Sequence, residues 1–416
     1  MVNKNMIRSE KMILRKTDEI AKWISDATAI YNQALYYLRQ EYFDSQKNNQ
    51  KPNYSKIDLY KLLKETDCWK TSDLDINAKQ YVIRKVRDNW NSFYKACKTY
   101  WKDKSKFNGL PRIPKYLKNG RTSILIFEKT RLRHKDMKEN TLSLPKSKYK
   151  IKIPEYINLN RIKCIIIKTY YGKVKLNISY NKDPKIVKLN KDNWIGIDIG
   201  IDNIVSITTN NQNKSWIIKG GCIKSINQFY NKKLSELRSS LEKINKSKSS
   251  KRLQRMNMKR NQKLDYEFHC ISKKIIDLCI MNNIGNIVIG HNNGWKQEAN
   301  LGKKTNQKFV SIPFNDLISK IQYKSEEVGI TCHITEESYT SKVDHIVNED
   351  MCNHENYLGR RIRRGLFKSL TGKILNADIN GAIGILRKKN VFSDVDLINL
   401  RDRGDVVSPL VLKYKP

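Results

Sequence analysis

The stretch Trp194-Ile-Gly-Ile-Asp-Ile-Gly200 decides how the second half of this chain is interpreted. Successive residues of a strand point to opposite faces, so the isoleucines share one face, while Gly196, Asp198 and Gly200 share the other. A carboxylate between positions without side chains leaves room for a ligand or a phosphate. The alternative is a strand that ends in a glycine turn and carries an incidental aspartate. The strict alternation favours the first interpretation.

A second aspartate lies at the start of the last predicted helix, which begins at Ala377. Helical spacing places four residues of Asn376-Ala-Asp-Ile-Asn-Gly-Ala-Ile-Gly-Ile-Leu386 on one face: Asp378, Gly381, Ala382 and Ile385. The small residues would let this helix lie close against a sheet and hold its carboxylate near Asp198. Taken alone, the aspartate is better explained as a helix N-terminal residue stabilised by the macrodipole. A pair of carboxylates, however, is typical of two-metal phosphodiester chemistry with Mg²⁺.

The composition indicates a polyanionic partner. The 416 residues include 81 Lys+Arg against 41 Asp+Glu, which gives a net charge of +40. A chain this basic, with aromatic residues throughout, is typical of a folded nucleic-acid-binding protein. No stretch approaches the roughly 18 apolar residues of a membrane span, and the N-terminus has no signal-peptide core. The eight cysteines form no CxxC pair, which favours reduced thiols. We therefore expect a bacterial, nucleoid-associated protein of the cytoplasm.

The first half, residues 1–190, is predicted to be an antiparallel, barrel-like unit with a helical insertion at about 18–105. Apolar stripes at helical spacing run from Ile20 to Leu38 and from Val82 to Cys97, with basic residues interleaved in the second. Strand-like alternation follows and is clearest from Val174 to Tyr180. The pattern indicates an α+β unit.

A polar run from Pro184 to Asp192 separates this unit from a region in which strands alternate with helices. That alternation indicates an α/β domain over residues 191–390. We expect a helical pair at about 225–282, a polar loop at about 341–373, and a C-terminal tail over 391–416.

These motifs together resemble the TnpB family of transposon-encoded, RNA-guided DNA endonucleases, which are related to type V CRISPR effectors and to the Fanzor proteins. The family's first motif matches Ile195-Gly-Ile-Asp-Ile-Gly200, and its third matches Asn376-Ala-Asp-Ile-Asn-Gly-Ala382. The helix from Phe314 to Gly329 and the Tyr339-Thr-Ser341 after it are also family landmarks. The resemblance implies an N-terminal wedge barrel with a helical recognition insertion, followed by a RuvC-like ribonuclease H fold.

The second motif departs from the family pattern. Its glutamate position is occupied by Gly290, which is followed by His291. Some family members carry the acid three residues before the Thr-Ser pair, and here that residue is Glu337. The resemblance thus implies that Asp198, Glu337 and Asp378 are catalytic and bind two Mg²⁺ ions. Glu336 is the alternative, since successive strand residues face opposite sides; both glutamates also fit an exposed strand end.

The zinc ribbon departs as well. The family commonly has two CxxC pairs between the Thr-Ser and the third motif, but this stretch contains one cysteine. His345, Cys352 and His354 supply three candidate ligands at an unfamiliar spacing, whereas a zinc site needs about four. We therefore expect no structural zinc.

The resemblance implies a guide RNA and a double-stranded target DNA as partners, with no membrane and no nucleotide cofactor. The candidate phosphate contacts are basic residues of the helical pair and of the late loop: Arg252, Arg255, Lys259, Arg260, Arg360, Arg361, Arg363 and Arg364. Lys79 and Gln80 are candidates for recognition of a short DNA motif beside the target.

Two other function classes compete with the endonuclease. A nuclease-inactive, RNA-guided DNA-binding protein would fit the departure at the second motif, although both aspartates are retained. An actin-like sugar kinase or ATPase also has Asp-x-Gly after a strand. That fold needs a second phosphate loop and an adenosine motif, which the sequence lacks, and a net charge of +40 does not suit it.

Overall fold

The structure is a computed structural model that describes residues 6–118, 124–132, 140–147, 150–210, 214–245, 249–292, 302–392, 396, 399–400 and 403–415. The chain divides into two compact units, a first unit at Asn5–Lys182 and a second unit at Asp183–Pro416. Both units mix helices and strands, as the multidomain prediction requires. Within the described ranges, no helix is long and apolar enough to cross a membrane.

The first unit combines an antiparallel sheet with helices. Its elements are β1 (Met6–Leu14), α1 (Asp18–Lys47), α2 (Leu59–Lys64), α3 (Asp67–Lys70), α4 (Ile76–Lys102), β2 (Leu125–Glu128), β3 (Thr141–Ser143), β4 (Lys150–Lys152), β5 (Ile162–Tyr170) and β6 (Lys173–Lys182). Four strands form an antiparallel sheet in the order β1-β6-β5-β2, and β3 pairs with β4.

The helices of the first unit follow the predicted stripes. Thr17 begins α1, since its hydroxyl accepts a hydrogen bond from the Ile20 N–H at 3.3 Å. The predicted stripe of α1 is buried, and so are Val82, Val86 and Trp90 of α4. These helices lie between β1 and β2 in the chain, in agreement with a helical insertion. Among the residues described, β1 does not pair with β2, so closure into a barrel stays a prediction.

The second unit is built on a mixed six-stranded sheet. Its elements are β7 (Asn190–Asp198), β8 (Asn203–Thr209), β9 (Ser215–Lys219), α5 (Gly221–Asn245), α6 (Lys251–Met281), β10 (Ile284–Gly290), α7 (Lys303–Val310), α8 (Phe314–Val328), β11 (Thr331–Thr335), β12 (Arg360–Arg363), β13 (Leu366–Lys368), β14 (Ile374–Asn376), α9 (Ala377–Arg387) and β15 (Leu410–Val411). The strand order is β11-β10-β7-β8-β9-β15. β8 is antiparallel to β7 and β9, while β10 is parallel to β7 and β11. A smaller sheet has the order β12-β13-β14.

The six-stranded sheet separates two helical layers. Ile195 and Ile197 of β7 share a core with Phe268 of α6 on one face. Gly196 faces α9 on the other, where a Cβ atom would lie 2.4 Å from the carbonyl oxygen of Ala382. That separation is shorter than a van der Waals contact, so the absent side chain allows α9 to lie on the sheet. The alternation predicted for β7 is confirmed.

Among the described residues of the C-terminal tail predicted for 391–416, Leu410 and Val411 form a strand of this sheet, which corrects that prediction. β15 pairs in parallel with β9. Arg403 is buried, donates to the Thr209 carbonyl at 3.1 Å and pairs with Asp405 at 2.7 Å. A two-residue strand leaves no periodic signal in a sequence, which explains the error.

Candidate active site

Two aspartates meet where β7 ends and α9 begins. Asp198 is the last residue of β7, and Asp378 lies in the first turn of α9. The Asn376 side chain caps that helix by accepting from the N–H groups of Asp378 and Ile379 at 3.0 and 3.3 Å. α9 approaches so closely that a Cβ atom on Gly381 would lie 2.8 Å from Asp198 Oδ2. The small residue beside Asp378 therefore has the role that the sequence predicts.

The charge of Asp378 acts on the Asp198 carboxylate. Burial, and after it the charge of Asp378, raise the pKa of Asp198 to about 7, while Arg361 and the Ile199 N–H oppose the shift. Asn203 at the start of β8 is buried and donates from Nδ2 to Asp378 Oδ2 at 2.7 Å. This bond fixes the direction of the Asp378 side chain. Repulsion between neighbouring carboxylates is relieved by a cation or by a shared proton.

The third predicted acid, Glu337, follows β11 and lies against the end of β10. A Cβ atom on Gly290 would be 2.6 Å from both Cγ and Oε1 of Glu337. The Glu337 side chain thus fills the space into which a side chain at the second-motif position would extend. Its backbone N–H donates to Asn292 Oδ1 at 2.7 Å, which ties the turn to the end of β10. The neighbouring Glu336 side chain is exposed.

The surroundings of Glu337 are unfavourable for its charge. Burial, and after it the charge of Asp198, raise the pKa of Glu337 to about 8, while Lys388 lowers it. The Oε1 atom is buried and has no hydrogen-bond partner within the part of the chain that the structure describes. A buried carboxylate oxygen without a donor is destabilising, and such oxygens are the ligands that Mg²⁺ prefers. The donor chemistry of Asp198, Glu337 and Asp378 therefore fits a divalent cation.

These three acids do not form a closed metal cage. Across the described ranges, no group of three or more His, Cys, Asp and Glu side chains is arranged to hold an ion. The link between the acids is electrostatic, since the charge of Asp378 acts on Asp198 and the charge of Asp198 acts on Glu337. Binding of two Mg²⁺ ions stays a prediction.

Arginines on and after β12 lie beside the acids. All four predicted phosphate contacts of this segment have exposed side chains: Arg360, Arg361, Arg363 and Arg364. The charge of Arg361 acts on Asp198, so its guanidinium is within electrostatic reach of the carboxylate. Arg364 forms an ion pair with Asp202 in the turn between β7 and β8. Arg361 therefore brings positive charge to Asp198, one of the candidate acids.

Helices α5 and α6 enclose a groove of about 890 Å³ with basic walls. Arg252, Arg255 and Lys259 line this groove with exposed side chains. Phe229 lies in the same groove with 63% of its surface exposed. Cations pair with phosphates and aromatic rings stack on bases, so the combination suits a nucleic acid.

Arg260 lines the same groove but is largely engaged within the protein. Its Nε and Nη2 atoms donate to Asn227 Oδ1 at 2.9 and 2.8 Å, and its guanidinium lies over the Tyr230 ring. The residue braces α6 against α5. The prediction of Arg260 as a phosphate contact disagrees with these bonds, because guanidinium donors that are already bonded are not available to a phosphate.

Lys79 in the first unit is buried, in contrast to its prediction as a DNA contact. Its Nζ donates to the carbonyls of Trp69 and Ser72 at 2.7 and 2.9 Å, and it lies over the Trp69 ring. The carbonyls compensate for the buried charge, and the ammonium is not presented to a ligand. Gln80, the neighbouring candidate, is exposed.

Hydrogen bonds hold the loop between Glu337 and α9. Asp344 is fully buried and accepts from Ser369 Oγ at 2.7 Å and from the N–H groups of Leu370 and Ile346 at 2.8 and 3.2 Å. Its own N–H donates to Glu349 Oε2 at 2.7 Å. Asp344 therefore joins two distant stretches of the loop.

The three residues considered as zinc ligands have different surroundings. The His345 ring is buried, with Nε2 at 2.8 Å from the Thr340 carbonyl and Nδ1 at 2.7 Å from Arg387 Nη1. A carbonyl only accepts and a guanidinium only donates, so Nε2 carries the proton and Nδ1 accepts. Burial lowers the pKa of His345 to about 3, and Arg387 contributes in the same direction. Cys352 is exposed, and its Sγ lies 3.3 Å from His354 Nε2.

Sequence reasoning missed several polar residues beside these acids, in the loop before α9 and at the end of α9. They are Asn203, Asn292, Asp344, His345 in its buried role, and Arg387. One signal was available, because Asn203 is an amide at the start of the strand that pairs with the Asp198 strand. The other residues act through contacts across long stretches of chain, which no local pattern reports.

Two protein-family models match parts of this chain that lie almost entirely in the second unit. A model described as a probable transposase, OrfB_IS605, matches residues 177–296, which include Asp198. A model of the Cas12f1-like TNB domain matches residues 314–385, which include Glu337 and Asp378.

Curated relatives and a solved structure agree with these matches. The TnpB-like protein ORF457 of Acidianus two-tailed virus is 23% identical over 418 residues, covering 91% of this chain and 83% of the relative. The CRISPR-associated endodeoxyribonuclease Cas12f1 of Sulfoacidibacillus thermotolerans is 27% identical over 223 residues, covering 51% of this chain and 50% of the relative. The cryo-EM structure of a Cas12f1-sgRNA-target DNA complex has a TM-score of 0.52 at 17% identity, covering 88% of this chain and 82% of that one, which indicates a shared fold. Both motifs that carry the aspartates fall within the matched models, and over these regions the chain is similar to the TnpB family.

Proposed function

We propose that this protein is an RNA-guided DNA endonuclease that hydrolyses phosphodiester bonds in a Mg²⁺-dependent reaction. The observation that carries the proposal is the position of Glu337. Its carboxylate fills the space beside Gly290 and is coupled electrostatically to Asp198. The chain therefore supplies an acid at the place where its second motif has none, which is what a retained nuclease requires.

The sheet of the second unit supports a RuvC-like ribonuclease H fold for this domain. Three antiparallel strands, β9, β8 and β7, continue into the parallel strands β10 and β11. Asp198 ends the central strand of that order, and α9 crosses the sheet beside it. Asp198 and Asp378 meet where β7 ends, and Glu337 lies beside the neighbouring end of β10, which supports a common site for the three acids.

Asp198, Glu337 and Asp378 would hold two Mg²⁺ ions through their carboxylate oxygens. Bound ions supply Lewis acidity to the phosphodiester and stabilise charge on the attacking and leaving oxygens. Asn203 keeps the Asp378 carboxylate in a fixed direction, and Asn292 holds the backbone of Glu337. Water is the nucleophile, so no covalent bond between protein and DNA forms.

The basic surfaces have a role in binding the guide RNA and the target DNA. Arg361 and its neighbours on β12 lie beside the acids and would contact phosphates near the cleaved bond. The groove between α5 and α6 would take a backbone segment of the RNA or of the paired strands, with Phe229 available for stacking. Base pairing with the guide would read the sequence, and the first unit would recognise a short flanking motif. Such a protein would act in a bacterial cytoplasm at the nucleoid.

Cleavage by the full chain with its co-purifying RNA tests this proposal. That RNA is sequenced, and a plasmid library with the matching target and randomised flanks is incubated with Mg²⁺. We expect cleavage at a subset of flanks, and we expect EDTA to abolish it.

The matched variants are Glu337→Gln and Glu336→Gln, which remove one charge each at neighbouring positions. We expect the first to abolish cleavage with DNA binding intact and the second to cut like the wild type. Guided binding without cleavage at every flank would instead identify a nuclease-inactive DNA-binding protein.

A further inference from the structure

The turn that carries Glu337 is connected to α9 by successive hydrogen bonds. The hydroxyl and the N–H of Thr340 donate to the Glu337 carbonyl at 2.9 and 3.2 Å. The Thr340 carbonyl accepts from His345 Nε2 at 2.8 Å, and His345 Nδ1 accepts from Arg387 Nη1 at 2.7 Å. Arg387 is the last residue of α9, whose first turn carries Asp378. The series therefore joins two elements that each hold a candidate metal-binding acid.

The middle of this series is tightly packed. Thr340 and His345 are both buried. A Cβ atom on Gly384 of α9 would lie 2.5 Å from His345 Nε2 and 2.9 Å from Thr340 Cβ, so both side chains rest against the helix backbone. Arg387 also donates to the Glu349 carbonyl at 3.0 Å. In a close-packed interior of this kind, the imidazole cannot tilt without breaking one of its two bonds.

The local sequence does not favour the Glu337 turn by itself. β11 ends at Thr335, so the residues after it have no strand partner. Tyr339 has a φ of 64°, in the left-handed region that residues with side chains rarely adopt. A turn with this conformation must be held by contacts from elsewhere in the fold. The bonds from Thr340 and His345 are contacts of that kind.

We propose that His345 and Arg387 are positioning residues that hold the Glu337 carboxylate in register with Asp378 by anchoring its turn to α9. This proposal rests on the proposed function, since it assigns the held carboxylate a part in cleavage. Neither residue touches the reacting atoms. The arrangement needs a donor toward Thr340 and an acceptor toward Arg387, and a neutral imidazole supplies both.

The variants distinguish the effect of losing the two His345 hydrogen bonds from the effect of losing the volume of its imidazole ring. His345→Leu removes both hydrogen bonds and keeps a side chain of similar size. His345→Gln restores a donor toward Thr340. His354→Leu is the matched control, because this histidine lies in the same loop and its Nε2 is bonded to the Asp350 carbonyl, away from Glu337.

Cleavage of a guide-matched plasmid is measured across a Mg²⁺ titration, together with DNA binding and thermal unfolding of the complex. We expect His345→Leu to raise the Mg²⁺ concentration for half-maximal cleavage by about tenfold or more, with DNA binding unchanged. His345→Gln should recover most of that loss, and His354→Leu should match the wild type. An unchanged Mg²⁺ requirement in His345→Leu would overturn the proposal, as would loss of binding and cleavage together with a lower unfolding temperature.

Amide hydrogen exchange of residues 337–341 gives a readout that does not depend on cleavage. His345→Leu should speed exchange of the Thr340 N–H, which is bonded to the Glu337 carbonyl, and His354→Leu should not. If the wild type does not cut DNA, the proposed function fails, while this measurement still decides whether His345 holds the turn. Unchanged exchange in His345→Leu would refute the anchoring.

Discussion

Asp344 and Glu337 are acids of one loop with opposite surroundings. Asp344 is fully buried, and its oxygens accept bonds from Ser369, Leu370 and Ile346. Among the described residues, none donates a hydrogen bond to the buried Oε1 of Glu337, and a neighbouring carboxylate opposes its charge. Buried charge is tolerated when donors surround it and is destabilising when they do not. The comparison teaches that the donors around an acid, more than its burial, separate a structural role from a functional one.

The largest expected effect is at the candidate metal-binding acids. Asp198→Ala should lower cleavage of a guide-matched plasmid by at least about 1,000-fold, because the reaction would lose a metal-binding oxygen. Binding of guide RNA and target DNA, measured by gel shift, should be unchanged. If Asp198→Ala still cut DNA at a tenth of the wild-type rate, the functional role assigned to this acid would be contradicted.

The second largest effect is expected at Asp344, where a substitution should lower the stability of the fold. Asp344→Ala would leave the Ser369 hydroxyl and two backbone N–H groups without their acceptor, which should lower the free energy of unfolding by about 3 kcal/mol. Urea titration of the full chain measures the loss. Asp344→Asn, which keeps one acceptor, should lose less. Equal stability of Asp344→Ala and the wild type would contradict a structural role.

Glu337→Gln should raise the free energy of unfolding, in contrast to Asp344→Ala. In the unfolded chain a glutamate titrates near 4.5, but in the fold burial and Asp198 raise the pKa of Glu337 to about 8. Its ionisation therefore lowers stability progressively as the pH rises from the unfolded value to the folded one, and below both values it has no effect. We expect the metal-free variant to be more stable than the wild type by about 2 kcal/mol at pH 9, with no gain at pH 4.

Chemical unfolding at several pH values, in EDTA, measures this gain. Mg²⁺ should stabilise the wild type more at pH 9 than at pH 6, since a cation binds the ionised carboxylate. A gain from Glu337→Gln that shrinks as the pH rises would contradict the surroundings described for this acid.

The smallest effect on cleavage is expected at Asn203, which orients the Asp378 carboxylate and is not itself a candidate metal ligand. Asn203→Ala removes the donor to Asp378 Oδ2 and should lower cleavage by roughly 10-fold, as for other residues that orient metal ligands. Asn203→Asp should be worse, because it places a third charge beside two carboxylates. Rates under single-turnover conditions distinguish these variants. Equal rates for Asn203→Ala and the wild type would show that Asp378 is oriented by its helix alone.

The sequence was most informative where the relevant contacts are local. The alternation around Asp198 and the small residues after Asp378 report directly on a strand face and on a helix face, and the structure brings these faces together. Glu337 was found through a family resemblance. Its position beside Gly290 depends on the pairing of β10 with β11, in which Gly290 lies opposite Thr335, and no local pattern specifies that register.

Lys79 is a case in which a local pattern was misleading, because it is predicted to contact DNA and its side chain is buried. The basic residues of α4 were interpreted as one solvated or nucleic-acid-facing surface, but the carbonyls of Trp69 and Ser72 cover this one. A charge pattern does not report which helix position is covered by a distant turn. The same reason explains Arg260, whose partner Asn227 belongs to another helix.

The missing side chain at Gly196 has a consequence for how the two aspartate motifs can change relative to each other. Backbone atoms of α9 contact β7 directly at this position. The distance between the strand with Asp198 and the helix with Asp378 is therefore set by main-chain contact. Even one added methyl group, as in Gly196→Ala, would push α9 away from β7 and increase the distance between the two aspartate motifs. If the proposed function holds, replacing an acid would abolish cleavage, whereas changing the contact between α9 and β7 would shift the distance between the two aspartates by degrees.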